Sequence, residues 1–183
     1  NLAWMSFNVI LALIPIVFGI IMYQNKNIIV KAVAGLIWFF FLPNTIYLLT
    51  DIVNFPNDAG RLTGIYLILG FAFYLALIII GVITFILALD PFERMLFKGK
   101  SKKIIEQNLP IIYVLNFFVG FGVVLGRIHR LNSWEVFVNT QEVIFYSLET
   151  LRSFELMVWV LAFAILSQFV YMKFRKSVPK ITI

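Results

Sequence analysis

Polar and apolar positions in this chain do not alternate; they come in blocks. Five long apolar runs, Leu2–Tyr23, Ala32–Leu49, Gly64–Leu89, Leu109–Gly126 and Leu156–Met172, are separated by short polar connections. Each meets or approaches the roughly 17–25 residues a helix needs to cross a bilayer. Backbone groups in hydrocarbon must be satisfied within their own segment, and unbroken apolarity is not the alternating pattern of a barrel strand, so all five runs predict helices. A sixth stretch, Trp134–Leu151, is patterned differently. Glu135, Asn139, Glu142 and Glu149 recur at helical spacing, with Phe137, Ile144, Leu148 and Leu151 opposite them. That predicts an amphipathic helix lying along the membrane interface. Its acidic face argues against docking on anionic lipid and for facing a cation, a partner or a site.

The predicted fold is therefore an all-α integral membrane helical bundle, a single transmembrane domain over residues 1–183 with an outer interfacial helix over about 134–151. Leu2–Tyr23 is long for a signal-peptide core, follows no basic region and lacks a small-x-small cleavage site, so it is read as a true span. The first residue is Asn1 rather than methionine, which leaves room for a sixth span upstream.

Small residues at helical spacing mark expected contacts between spans: Asn8, Ala12, Pro15 and Gly19 in the first, Gly70, Gly81, Thr84 and Ala88 in the third, Gly122 and Gly126 in the fourth. Such residues let backbones approach closely where lipid removes any hydrophobic drive between helices.

Composition agrees with the pattern and adds orientation. The apolar fraction is 62% and only 13% of residues are charged, against roughly half apolar in soluble domains. The net charge of +6 invites a nucleic-acid reading, but the basic residues stand at the ends of apolar runs, where they set topology. Eleven of the fifteen Lys and Arg residues fall in the connections 24–31 and 90–108 and in the C-terminal tail. The remaining four, Arg61, Arg127, Arg130 and Arg152, fall on the other side. The positive-inside rule then puts the Lys-rich loops and the C-terminus in the cytoplasm and Asp51, Arg127, Arg130 and Glu135 outside. With no cysteine, disulfide and thiol chemistry are excluded.

Two stretches depart from plain membrane filling. In the first, Phe41–Asp51, Pro43 removes a backbone donor and kinks the second span, and Asn44 can donate to the carbonyls that this frees. If helix resumes beyond the kink, Asn44, Tyr47 and Asp51 share one face. In the second, Gly120–Glu135, the stripe Asn116, Gly120, Val123, Arg127, Arg130 carries two arginines off a glycine-lined face. A guanidinium pointing into the bundle needs a carboxylate or an anionic ligand, because intramembrane charge is costly, and Asp51 is expected at the same depth. Either the two form a structural ion pair, or the arginine forks receive a phosphate or carboxylate from outside. Asp51 and His129 are the candidate catalytic bases, although no Ser-His-Asp spacing accompanies the histidine. Asn132, Ser133 and Glu135 have capping-box spacing, and Trp134 suits an interfacial anchor. Asp51 and Glu135 make a poor metal cage beside arginines, so no metal and no cofactor is expected.

The stretches FLPNTIYLLTDIVNF and GRIHRLNSWEVF resemble the paired signatures of the domain-of-unknown-function 1361 family of bacterial multipass membrane proteins. The matching positions are Pro43, Asn44, Tyr47, Thr50, Asp51, Gly126, Arg127, Arg130, Asn132, Ser133, Trp134 and Glu135, with Glu135 where aspartate is expected. The resemblance implies a polytopic protein of the bacterial cytoplasmic membrane and carries no activity. The function expected is a binding or accessory component of the cell envelope. Its outward site of Asn44, Tyr47, Asp51, Arg127, Arg130, Asn132, Trp134 and Glu135 takes an anionic lipid headgroup, a lipid-linked envelope precursor or a partner membrane subunit. The alternatives are an enzyme acting on a lipid-linked phosphate substrate, and a transporter or channel. Membrane lipids are expected partners and nucleic acid is not.

Overall fold

The computed structural model describes residues 2–97 and 102–178. Of the residues behind the expected chain start and orientation, Asn1, Lys98, Lys100 and Lys180 lie outside them. The order of elements is α1 (Leu2–Gln24), α2 (Ile28–Phe41), α3 (Pro43–Thr50), a 3-10 turn (Asp51–Asn54), α4 (Phe55–Ala59), α5 (Ile65–Phe97), α6 (Lys102–Arg127), α7 (Glu135–Val138), α8 (Thr140–Arg152) and α9 (Phe154–Phe174). No strand occurs among the described residues. Five helical stretches are long and apolar enough to cross a membrane: Met5–Gln24, Ile28–Ala59, Ile65–Phe97, Pro110–Arg127 and Phe154–Phe174.

Local chemistry sets the helix ends. Asn27 caps α2, its side chain accepting from the Ile29 N–H at 2.9 Å, and Ser153 caps α9 by accepting from the Leu156 N–H at 3.3 Å. Each cap satisfies a backbone donor that the helix leaves open. Pro43 stands at the start of α3, where a missing N–H costs little and its fixed φ suits the first turn. Leu42, between α2 and α3, keeps helical φ −55° and ψ −39°, and its N–H still reaches the Trp38 carbonyl at 2.9 Å, so the path is interrupted at Pro43 but carries on as helix.

The helices pack as two groups. In one, α1 lies against α2, α3 and α5, and α3 against α5; in the other, α6 lies along α9. The groups meet chiefly where α3 touches α6, around a core that includes Trp38, Leu42, Ile46, Phe85, Leu89, Ile112, Val119, Val123 and Tyr171. Glycine makes the closest approaches possible. A Cβ on Gly120 would lie 2.6 Å from the Ala164 backbone nitrogen on α9, and one on Gly122 would lie 2.8 Å from Pro43 Cβ on α3. Asn116 and Gln168 add an amide hydrogen bond of 2.6 Å between α6 and α9. Outward faces such as Phe154, Leu161, Ile165, Phe169 and Met172 on α9 are exposed and apolar, a surface suited to lipid rather than water.

Two helical stretches run longer than the apolar runs inside them. The stretch that holds 32–49 runs from Ile28 to Ala59, through α2, α3, the 3-10 turn and α4. Helix α5 continues past Leu89 to Phe97, where its charges are paired: Arg94 lies 3.0 Å from Asp90, and Glu93 lies 2.5 Å from Arg175 at the end of α9. One expectation is corrected. The amphipathic stretch 134–151 is not one helix. Asn139, at φ −133° and ψ 52°, divides α7 from α8, and its side chain donates to Glu142. Phe137, Ile144, Leu148 and Leu151 do stand exposed along it.

Candidate functional site

One end of the bundle holds a cavity of about 620 Å³ between α1, α3, α6 and the segment that follows α6. Its polar lining is Asn8, Asn44, Tyr47, Asp51, Asn54, Arg127, Arg130, Asn132 and Ser133.

The floor is an ion pair. Asp51 opens the 3-10 turn and its side chain is only 3% exposed. Arg127, the last residue of α6, places Nη1 2.8 Å from Asp51 Oδ1. Its Nη2 donates to the Thr50 carbonyl at 2.5 Å, one of the acceptors left open where α3 tightens into the 3-10 turn. The guanidinium also lies over the Tyr47 ring, 5.0 Å from its centroid, a cation–π arrangement. Asn8 of α1 reaches Asp51 Oδ2 at 3.4 Å. Arg127 is thus held on two sides and one face by its own chain.

The rim is polarised by the helix break. Asn44 Nδ2 donates to the Phe41 carbonyl at 2.9 Å and to Ser133 Oγ at 2.7 Å. An amide nitrogen carries two hydrogens and both are used. Ser133 accepts here, so its own hydroxyl proton is left to donate into the cavity that it lines.

Arg130 completes the rim. It has φ +59°, the one non-glycine residue with positive φ among the described residues. That conformation ends the α6 segment, with the Leu131 N–H returning to the Leu125 carbonyl at 3.2 Å. A left-handed non-glycine residue costs about 1–2 kcal/mol. Arg130 therefore does not continue the helical stripe of Asn116, Gly120 and Arg127, which is a further correction. It is exposed on the cavity edge and pairs with no carboxylate among the described residues. The charged lining is one carboxylate and two guanidiniums, so the cavity carries a net positive charge.

The other expected residues divide. Asn44, Tyr47, Asp51, Arg127, Arg130 and Asn132 line the cavity; Trp134 and Glu135 do not. Glu135 accepts from the Asn132 N–H, as a capping box requires, and Trp134 packs edge-on to Phe7 at 5.7 Å. His129 turns away from the cavity, 3.2 Å from Thr150 Oγ1 and 4.5 Å from the Tyr146 ring on α8. Asn8, Asn54 and Ser133 line the cavity although Asn8 was expected only to pack, Ser133 only to cap, and Asn54 was not singled out. The available signal for Asn8 was the cost of an unpartnered amide in an apolar run. No cluster of three His, Cys, Asp or Glu residues able to hold a metal occurs among the described residues.

The model of a family described as a protein of unknown function (DUF1361) matches residues 7–170. That range takes in both motif stretches and every cavity-lining residue except Met5. No curated protein and no solved structure matches the chain.

Proposed function

We propose that this chain, which belongs to the DUF1361 family, is a membrane binding component that holds a phosphate or carboxylate group in the cavity at the end of its bundle. The observation that carries this reading is Arg130. It is a cation exposed at the edge of a positively lined cavity, with no protein carboxylate to neutralise it among the described residues. Its left-handed backbone is that of a helix C-cap, which turns the chain at the cavity edge.

The two arginines divide the work. Arg127 is engaged by Asp51, Thr50 and Tyr47 and serves as the floor. Arg130 and the Ser133 hydroxyl are the donors offered to a ligand, and a guanidinium fork suits the planar oxygens of a carboxylate or phosphate. A binding role is favoured over an enzyme because neither candidate base is free: Asp51 is ion-paired and His129 faces α8. We place this end of the bundle outside a bacterial cytoplasmic membrane, supported by the lysine bias of the opposite end, with an anionic lipid headgroup as the ligand source.

The test is native mass spectrometry of the protein released from nanodiscs that contain phosphatidylglycerol and phosphatidylcholine. The wild type is expected to retain phosphatidylglycerol selectively, and Arg130→Ala to retain about tenfold less or lower still, as loss of a charge-assisted hydrogen bond implies. Equal retention by the two proteins overturns the reading.

A further inference from the structure

The polar cavity has an apolar neighbour. Beyond the contact of Pro43 with Gly122 lies a second recess of about 260 Å³, walled by Phe39 and Phe40 of α2, Phe118 and Phe121 of α6, and Val136 and Val143 of α7 and α8. The two spaces share Pro43, Gly122, Leu131, Asn132 and Ser133. We propose that they are two halves of one site for an anionic amphiphile, a lipid whose phosphate-bearing head rests on Arg130 and Ser133 while a hydrocarbon chain occupies the aromatic recess. The proposal rests on the anion-binding reading above and names the class of molecule that carries the anion.

Three features support it. The head space and the chain space abut on shared residues, and at Pro43 and Gly122 only one layer of residues separates them; the two pack so closely that a Cβ on Gly122 would come within 2.8 Å of Pro43 Cβ. The shared edge is where polarity changes, with Asn132 and Ser133 on the boundary and only Ser147 adding a polar side chain deeper in. The walls are also preset by edge-to-face aromatic pairs, Phe39 with Phe118 at 5.6 Å and Phe40 with Phe137 at 5.8 Å, so the recess exists before anything enters it.

A lipid chain suits this recess better than a peptide does. Phe118 and Phe137, beside it, are exposed and apolar, which puts the recess within reach of acyl chains already in the bilayer. A chain moving from lipid into the recess exchanges one apolar surrounding for another and gains little hydrophobic free energy. Affinity must then come from the head and selectivity from the fit of the chain. Neither half alone would distinguish this lipid from its neighbours.

The experiment uses the full chain in phosphatidylcholine nanodiscs with a dodecyl phosphate that carries a diazirine at its chain end, and a neutral alkyl glycoside of the same length and label. On illumination the phosphate probe is expected to label residues 118–125 and 136–147 and the glycoside is not. Arg130→Ala is expected to abolish that labelling. Val143→Trp and Ser147→Phe fill the recess without touching the cavity, and both are expected to abolish recess labelling while inorganic phosphate still binds; two plugs guard against one that merely unfolds the protein. Labelling that depends on Arg130 but falls on the outward face of α9 refutes the recess and leaves the anion site standing. Recess labelling by the glycoside equal to that by the phosphate probe refutes the amphiphile. Labelling and phosphate binding both indifferent to Arg130→Ala refute the amphiphile and the anion site together.

Discussion

Asp51 and Arg127 provide the sharpest energetic test, because their surroundings are unequal. Arg127→Met strands a carboxylate whose side chain is 3% exposed and whose remaining partner is Asn8 at 3.4 Å. Removing one partner of a buried pair costs about 3–5 kcal/mol, and little here offsets it. Asp51→Asn strands a guanidinium instead. That group is 19% exposed, keeps the Thr50 carbonyl and the Tyr47 ring, and retains an amide oxygen at position 51 as acceptor. Only the charge assistance of one hydrogen bond is lost, about 1.5–3 kcal/mol. Arg127→Met should therefore be the worse of the two by about 2 kcal/mol, the difference between those ranges. The double variant Asp51→Asn/Arg127→Met has no buried charge and should fall short of the summed singles by about 2–3 kcal/mol of coupling. Unfolding by sodium dodecyl sulfate titration, followed by circular dichroism, measures all four proteins. If the singles cost the same and add within about 0.5 kcal/mol in the double, the pair is not the buried, asymmetric contact described here.

Arg130→Gly should remove left-handed strain and raise stability by about 1 kcal/mol in the same titration, while phosphatidylglycerol retention is lost; a variant that is less stable than wild type contradicts the strain. Gly120→Ala puts a Cβ 2.6 Å from the Ala164 nitrogen, where only backbone could yield, and should cost about 1–3 kcal/mol as overpacking does; a neutral result refutes the close approach of α6 to α9. Since the chain has no cysteine, single-site labelling reports orientation directly. An impermeant maleimide applied to intact cells should modify Asn57→Cys in α4 and spare Lys26→Cys in the α1–α2 connection, and the reverse pattern inverts the proposed topology.

The crossings were legible because apolar runs of bilayer length leave no other satisfied backbone, and the Asp51–Arg127 pairing because a guanidinium aimed into a bundle demands an acceptor. The errors have identifiable causes. Extending the α6 stripe to Arg130 assumed helix beyond Arg127, and no glycine after it signals the left-handed turn. The apolar run of the third span ends at Leu89, but α5 continues to Phe97 because Glu93 and Arg94 find partners, one of them 82 residues away. His129, Trp134 and Glu135 are adjacent in sequence to cavity residues, but the turn at Arg130 sends their side chains to α8, α1 and the local backbone. The recess was invisible because phenylalanines that wall a pocket read the same as phenylalanines that face lipid.

The two helix groups are cross-linked at both extremities: Asp51 to Arg127 near one end, Glu93 to Arg175 near the other. Both links run between the groups, and between them the seam is apolar. Sliding α6 and α9 along the bundle axis by a single helical turn, about 5.4 Å, would pull both links apart at once, in surroundings where solvent screening is weak. Tilting one group against the other about either end would break the opposite link. The molecule is tied at both ends like a ladder, so rocking one group against the other to admit a ligand has to break one of these two ion pairs.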